Sequence, residues 1–238
     1  MRIALIGYGK MGKAIETIAL QKGHEIVLKI DIDNNHELTK EFLVRADVAI
    51  EFTGPLSAVE NIKKCIYAGT PVVSGSTGWL DRWDEVAAYC TQHHGSLLYA
   101  SNYSIGVNLF FELNKYLAKL MEPYGDYDVQ MEEVHHTQKK DAPSGTAITL
   151  AEQILENLGR KESWVNKMAG KASELQITSE RIDPAPGTHK IKYTSPIDDI
   201  EIIHTAHNRV GFAGGAVLAA EFLAGKNGIY SMKDVLGL

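Results

Sequence analysis

Residues 2–12 read RIALIGYGKMG. A short apolar run, Arg2 to Ile6, meets three glycines, Gly7, Gly9 and Gly12, in the spacing G-x-G-x-x-G. Apolar residues then recur at Met11, Ala14, Ile15, Ile18 and Ala19. That recurrence is helical, so the glycines stand where a strand gives way to a helix. In that context they permit a tight turn and let the backbone approach a pyrophosphate, while the helix N-terminus offers unpaired N–H groups and partial positive charge. Alone the motif is a weak match; the strand before it and the helix after it give it meaning. An acid is also expected about 20 residues on, after the second strand. Glu25 to Ile30 (EIVLKI) predicts that strand, and Asp31 stands at its end. The Asp31 carboxylate would accept hydrogen bonds from an adenosine ribose diol. Candidate dinucleotide contacts are therefore Gly7, Tyr8, Gly9, Lys10, Met11, Gly12 and Asp31. Ile32 follows Asp31 where a 2′-phosphate would want a cation. NADH is accordingly expected in preference to NADPH, with Lys10 and His36 the remaining cations that could partner that phosphate.

Outward from this motif the first hundred residues alternate. Strands are predicted over Asp47 to Thr53, Pro71 to Ser74 and Ser96 to Ala100, with helices over Ser57 to Ala68, stopped at Gly69, and over Asp81 to His93. Alternation of this kind predicts a Rossmann-type doubly wound parallel sheet with helices on both faces, here over 1–104. Ligands of such sheets lie beyond the carboxyl ends of strands. The small polar turns there nominate Gly75, Ser76 and Thr77, then Ala100, Ser101, Asn102 and Tyr103, as further cofactor contacts.

The rhythm then changes. A long helix is predicted over Val107 to Met121. From Tyr127 to Val134 the chain alternates, with Tyr127, Val129 and Met131 set against Asp128, Gln130 and Glu132. Period two with one polar face marks a sheet wet on one side. A helix over Ser144 to Leu158, strands over Lys190 to Thr194 and Glu201 to Ala206, and a helix over Gly214 to Leu223 complete the pattern. The stretch 160–189 is polar and interrupted by Pro184, Pro186 and Gly187, and it predicts no element. The expected architecture is α/β: the first domain, then a second α+β domain with an open mixed sheet over 105–209, and a tail, 210–238, returning to the first.

Residues 135–147 read HHTQKKDAPSGTA. Pro143 biases Ala142 toward extended geometry, and Ser144 is a good N-cap for the helix that follows. The N–H groups of Gly145 and Thr146 then offer a seat for a carboxylate or phosphate, with Lys139 and Lys140 just upstream. Histidines beside such a seat suit proton transfer, because their ordinary pKa of about 6.5 lies near working pH. Metal binding through His135 and His136 is not expected: neighbours in a strand point to opposite faces, and no Cys/His set completes a site.

Net charge over the 238 residues is −6, which disfavours a nucleic-acid partner and sets the basic cluster against an acidic background. A small anion is the better match. Cys65 and Cys90 lack metal-type spacing and fall in apolar helical patterns, as expected for reduced, buried thiols. No apolar run reaches membrane-spanning length, and the start shows no signal-peptide cleavage pattern; a cytoplasmic location is expected.

With both motifs placed, the chain resembles the 4-hydroxy-tetrahydrodipicolinate reductase (dihydrodipicolinate reductase) family of lysine and diaminopimelate biosynthesis. The specific signature is Glu133, His135-His136, Lys139 and DAPSGTA at 141–147. It is supported by GYGKMG at 7–12, EFT at 51–53, GSTGW at 75–79, ASNYSIGVN at 100–108, NRVGFAGGA at 208–216 and GKNGIYSMKDVL at 225–236. The resemblance implies NAD(P)H-dependent reduction of a cyclic dicarboxylate. It implies His135 as proton donor or acceptor, Lys139 as a second donor, and His136, Ser144, Gly145 and Thr146 as substrate contacts. Arg209 falls in a late family motif, and a homotetramer joined through the second domain's sheet is implied as well. Two departures stand out: the glycine loop is one residue shorter than the family's common form, and the segment between Gly159 and Ile203 is short. A dinucleotide-sensing binding module and another small-substrate reductase on the same scaffold are the competing readings; DAPSGTA favours the first.

Overall fold

The computed structural model describes residues 1–208 and 210–238; Arg209 lies outside the described residues. In chain order the elements are β1 (Arg2–Ile6), α1 (Lys10–Gln21), β2 (Glu25–Ile30), α2 (Lys40–Leu43), β3 (Val48–Glu51), α3 (Pro55–Ala68), β4 (Val72–Ser74), α4 (Trp83–Gln92), β5 (Ser96–Tyr99), α5 (Ile105–Met121), β6 (Asp128–His135), α6 (Gly145–Asn157), β7 (Ser163–Val165), β8 (Glu174–Arg181), β9 (Gly187–Thr194), β10 (Asp199–Ala206), α7 (Val210–Leu223), β11 (Gly228–Tyr230) and α8 (Met232–Leu236). They divide between two compact units, Met1–Ile105 with Val210–Leu238, and Gly106–Arg209.

In the first unit the described strands form a six-stranded sheet in the order β11-β5-β4-β3-β1-β2, all neighbours parallel. This is the doubly wound, Rossmann-type fold. The strands read as continuous apolar runs because both faces are covered. On one face Ala4, Ile6, Ala49 and Val72 meet Val59, Ile62 and Ile66 of α3. On the other, Ile3, Leu5, Ile50 and Val73 meet Ile15 of α1 and Ala216, Val217 and Ala220 of α7. Helix α7 is built of small and apolar residues apart from Glu221, which suits a helix packed close to a sheet. Pairing of β11 with β5 adds the tail to this sheet.

The glycine turn works by close approach. Gly7 has φ +92°, and a β-carbon there would stand 2.1 Å from the Phe52 carbonyl oxygen. A β-carbon at Gly12 would stand 2.3 Å from the Gly7 carbonyl oxygen. At Gly9 a β-carbon would meet nothing within 4 Å. Gly7 and Gly12 therefore bind the turn to the sheet, and Gly9 leaves its outer side bare.

The second unit is a five-stranded mixed sheet, β10-β9-β6-β8-β7, among the described residues. β6 pairs antiparallel with β9 and parallel with β8. Val129, Met131, Leu175, Ile177, Ile191 and Tyr193 face Val107 and Phe110 of α5 and Ala147, Leu150 and Ile154 of α6. The opposite face is polar, with Lys190 paired to Glu201 at 2.8 Å and Lys192 to Asp199 at 2.7 Å. Strands β7 and β8 come from the stretch that predicted no element. Cys65 and Cys90 are free and buried. No helix among the described residues is long and apolar enough to cross a membrane.

Gly7→Ala should destabilise the protein by about 2 kcal/mol or more through the clash and the left-handed backbone. Gly9→Ala should stay within about 0.5 kcal/mol of the parent. Thermal melting of the pair checks this, with equal midpoints the contrary result.

Candidate active site

In the first unit a cavity of about 430 Å³ opens at the carboxyl ends of β1, β2 and β3, bounded by Gly7, Gly9, Asp31, Ile32, Asn35, Thr53, Ser57 and Asn61. It sits where the strand order reverses between β1 and β3, the usual crevice of a doubly wound sheet. Open space at Gly9 and bare backbone at Gly7 suit a pyrophosphate. Asp31 is exposed and caps a 3₁₀ turn over Ile32–Glu37, accepting from the Ile32 N–H at 2.9 Å. That cap fixes the acid at the rim of the cavity.

The floor beside Thr53 is organised by Glu51, a residue noticed in the sequence only as part of a motif. Glu51 is fully buried. It accepts from the Thr53 N–H at 3.0 Å, Ser76 Oγ at 2.8 Å, Ser74 Oγ at 2.7 Å and the Thr53 hydroxyl. Ser76 Oγ in turn accepts from the Thr53 N–H at 2.8 Å, and Trp79 Nε1 donates to the Ser76 carbonyl at 2.8 Å. One carboxyl thus ties the ends of β3 and β4 together and sets the 75–79 turn.

Several cofactor candidates fall elsewhere. Tyr103 is buried, and its hydroxyl donates to the Ser74 carbonyl at 2.7 Å, so its side chain belongs to the core. Tyr8 turns its hydroxyl to Glu16, beside Lys29, and Met11 packs against the core. Lys10, Thr77 and Ser101 are exposed, and Asn102 accepts from the Ser104 N–H at 2.9 Å. Gly75 and Ala100 lie at the ends of β4 and β5. None of these residues lines the cavity named above.

In the second unit the period-two alternation of β6 carries beyond Met131. Val129, Met131, Glu133 and His135 are all buried, whereas Asp128 and Gln130 are exposed. His135 is thus an inward residue, 7% exposed, not a loop histidine. Its Nδ1 lies 3.2 Å from a Glu133 oxygen, and its ring stands edge-on to His189 with centroids 5.2 Å apart. Glu133 is fully buried. It accepts from the Ser144 N–H at 3.0 and 3.2 Å and from Arg181 Nη2 at 3.0 Å. Burial pushes the Glu133 carboxyl up, but His135, Ser144, Ser179 and Arg181 together outweigh it and hold the group well below the usual carboxylate range.

Ser144 is the N-cap of α6. Its hydroxyl reaches past Gly145 and Thr146 to accept from the Ala147 N–H at 3.2 Å, and it lies 3.1 Å from His189 Nε2. Gly145 is exposed at the helix start. Burial first, then the neighbouring His135, pushes the His189 imidazole down to about 4. His189 is therefore neutral at working pH, and its Nε2 shares a hydrogen bond with the Ser144 hydroxyl. Lys139 is paired with Asp141 at 2.8 Å. Arg181 binds the Lys139 carbonyl at 3.2 Å and the Asp141 carbonyl, so it staples the 136–141 loop onto β8. His136 borders a separate cavity of about 320 Å³ with Gln138, Asp183, Pro186 and Asn208.

Arg181 and His189 are the site residues that sequence reasoning missed. Both lie in the stretch left without elements, although Leu175 and Ile177 already alternate with polar neighbours there. His189 also supplies the third ligand that the sequence did not offer: Glu133, His135 and His189 hold potential metal-ligating atoms within 4.8 Å of one another. Both Glu133 oxygens already accept hydrogen bonds, however, and a guanidinium stands beside them.

A Rossmann-type parallel sheet with a glycine turn, in a chain whose open-sheet unit buries a histidine close to a capped helix start, has the fold of a two-domain, NAD(P)-binding oxidoreductase. Comparison with known proteins narrows the class. The models described as dihydrodipicolinate reductase, N-terminus and C-terminus, match residues 1–103 and 106–236. A 4-hydroxy-tetrahydrodipicolinate reductase of Christiangramia forsetii is 51% identical over 99% of this chain and 98% of its own length. One of Methanosarcina barkeri is 39% identical over 87% of this chain and 79% of its own. Among solved structures, a dipicolinate-bound dihydrodipicolinate reductase from Paenisporosarcina sp. TG-14 shares the fold, with TM-score 0.77, 23% identity and 97% of each chain covered. The chain belongs to the dihydrodipicolinate reductase family.

His189 provides a pH test of the buried cluster. Its folded pKa, about 4, lies below the ordinary 6.5, so between those values the unfolded chain binds more protons. Stability should be full above pH 6.5 and fall as pH drops toward 4, by on the order of 3 kcal/mol. Urea midpoints at pH 7, 5.5 and 4.5 measure the slope, which His189→Gln should flatten.

Proposed function

We propose that this protein reduces 4-hydroxy-tetrahydrodipicolinate to tetrahydrodipicolinate with a reduced nicotinamide dinucleotide, in lysine and diaminopimelate biosynthesis. The observation that carries the reading is the gathering of His135 and the Ser144 helix start on one buried carboxylate, in a chain of this family. The Paenisporosarcina relative, by its description, binds dipicolinate, a planar cyclic dicarboxylate of the class this seat would accept.

On this reading Gly7 to Gly12 hold the pyrophosphate and Asp31 the adenosine ribose. The turns at Gly75 to Thr77 and Ala100 to Tyr103 border the nicotinamide, Tyr103 through its backbone. Bound NAD(P)H supplies the hydride. The Gly145–Thr146 helix start receives one substrate carboxylate, with Lys139 opposite its charge and His136 as a further contact. His135 delivers the proton and Lys139 is the second donor; positioned proton transfer of this kind contributes ~10²–10⁴ in rate. NADH is the preferred cofactor, because Asp31 is held at the cavity rim with Ile32 beside it. The polar face of the second sheet joins copies into a homotetramer, and the enzyme works in the cytoplasm.

Oxidation of NADH dependent on freshly prepared substrate tests the activity, and its absence would end this reading. Lys139→Ala should lower kcat at least tenfold while NADH affinity holds, since Lys139 lies in the other unit from the glycine turn. Gly9→Ala should do the reverse, weakening NADH with kcat little changed. The ratio of kcat/KM for NADH and NADPH decides the cofactor, a large NADPH preference counting against Asp31 as selector.

A further inference from the structure

Glu133 stands next to the proposed proton donor, yet the reduction needs no carboxylate there. It is fully buried, on the inward parity of β6, two residues before His135. Its two oxygens meet three separate parts of the site. Oε1 accepts from Arg181 Nη2 at 3.0 Å and from the Ser144 N–H at 3.0 Å. Oε2 lies 3.2 Å from the same N–H and 3.2 Å from His135 Nδ1. His189 Nε2 stands 3.8 Å from Oε2. The contact with His135 is at ion-pair distance without hydrogen-bond alignment, a looseness common in unliganded sites that tightens when substrate is bound.

An imidazole nitrogen that faces a carboxylate carries its proton. Nδ1 of His135 is thereby committed, and Nε2 is the atom left to exchange a proton. That nitrogen faces Gly187, where an added β-carbon would stand 3.1 Å away, so bare backbone is what leaves it uncovered. A proton passed from Nε2 to substrate converts the imidazolium to its neutral Nδ1–H form. The carboxylate keeps its charge throughout, because Arg181 and Ser144 remain bonded to it. Meanwhile the Ser144 N–H fixes where α6 begins, and neutral His189 holds the Ser144 hydroxyl in its capping position.

We propose that Glu133 is a positioning residue that couples the two halves of the substrate site: it holds His135 in the Nδ1–H form with Nε2 as the exchanging atom, and it fixes the Ser144–Gly145–Thr146 anion seat relative to that ring. This rests on His135 being the proton donor.

The test compares Glu133→Gln, His135→Gln and the double variant in the full-length protein. Turnover is followed across pH, and Kd is measured for NADH and for pyridine-2,6-dicarboxylate. Glu133→Gln should lower kcat about tenfold or more, part of the ~10²–10⁴ of positioned proton transfer. It should shift the pH profile and weaken the dicarboxylate several-fold, while NADH affinity stays within about twofold. In the His135→Gln background it should cost little further turnover. Glu133→Gln with parental turnover and pH profile overturns the proposal, as does an undiminished loss in the His135→Gln background. Parental turnover by His135→Gln sinks the proton-donor assignment itself, and this inference with it. Should Glu133→Gln fail to fold, ¹⁵N imidazole spectra of the parent protein decide. Neutral His135 protonated at Nδ1 supports the proposal, and protonation at Nε2 overturns it.

Discussion

A carboxyl group taken out of water must receive its hydrogen bonds from the protein, and leaving such a group unpaired costs several kcal/mol. This chain meets that constraint twice. Glu51 and Glu133 are both fully buried, and each lies at or near the carboxyl end of a strand. Each draws donors from neighbouring loops that have no other reason to converge. Around Glu51 these are Thr53, Ser74 and Ser76, which fix the turn after β4 against the end of β3. Around Glu133 they are Ser144 and Arg181, which fix the start of α6 and the loop before it. Irregular backbone is ordinarily the least determined part of a fold. Here buried acids determine it, and the proposed cofactor and substrate residues sit on those loops.

Much of the fold was legible because its periodicities are strong. Helix α1 and strand β2 occupy the residues that the 3.6-residue spacing and the apolar run mark out. Helix α3 ends at Gly69, whose φ of +77° is the left-handed C-cap a glycine stop signals. The other predicted elements moved only at their edges. α4 begins after a 3₁₀ turn over Leu80–Arg82 rather than at Asp81, and β3 is shorter than its apolar run because Phe52 and Thr53 already turn toward the cavity. The tail's return to the first sheet depends on three residues of β11, too few to show a period.

The candidate site was legible in part, and the shortfall has a physical cause. Sequence motifs name residues that share a loop; they do not name partners brought in by strand pairing. Arg181 reaches Glu133 because β8 runs parallel to β6, and His189 because β9 runs antiparallel to it on the other side. Those registers are set by sheet order, which no local pattern reports. The inward turn of His135, by contrast, was readable: the alternation seen at Val129 and Met131 places residues 133 and 135 on the same face. Tyr103 is the converse case: a polar turn suggests a side-chain contact, but its ring fills the core and its hydroxyl is satisfied by the Ser74 carbonyl, which leaves its backbone as the part that could meet a ligand.

The electrostatics of the proposed anion seat follow from which ion pairs are buried. Arg181 and Glu133 neutralise each other inside the sheet, where removing either partner is expensive. Lys139 and Asp141 form the outer pair, with side chains 23% and 58% exposed. An exposed pair of this kind is worth only about 0–1 kcal/mol. On the proposed reading, a dicarboxylate arriving at the Gly145–Thr146 helix start would draw Lys139 away from Asp141 at little cost. The Glu133–Arg181 pair beneath stays in place and keeps the seat in register. The arrangement separates a buried charge pair from a weaker, more exposed one. An acidic chain of net charge −6 would in this way, on the proposed reading, present a local cation to an anionic substrate without burying an unpaired one.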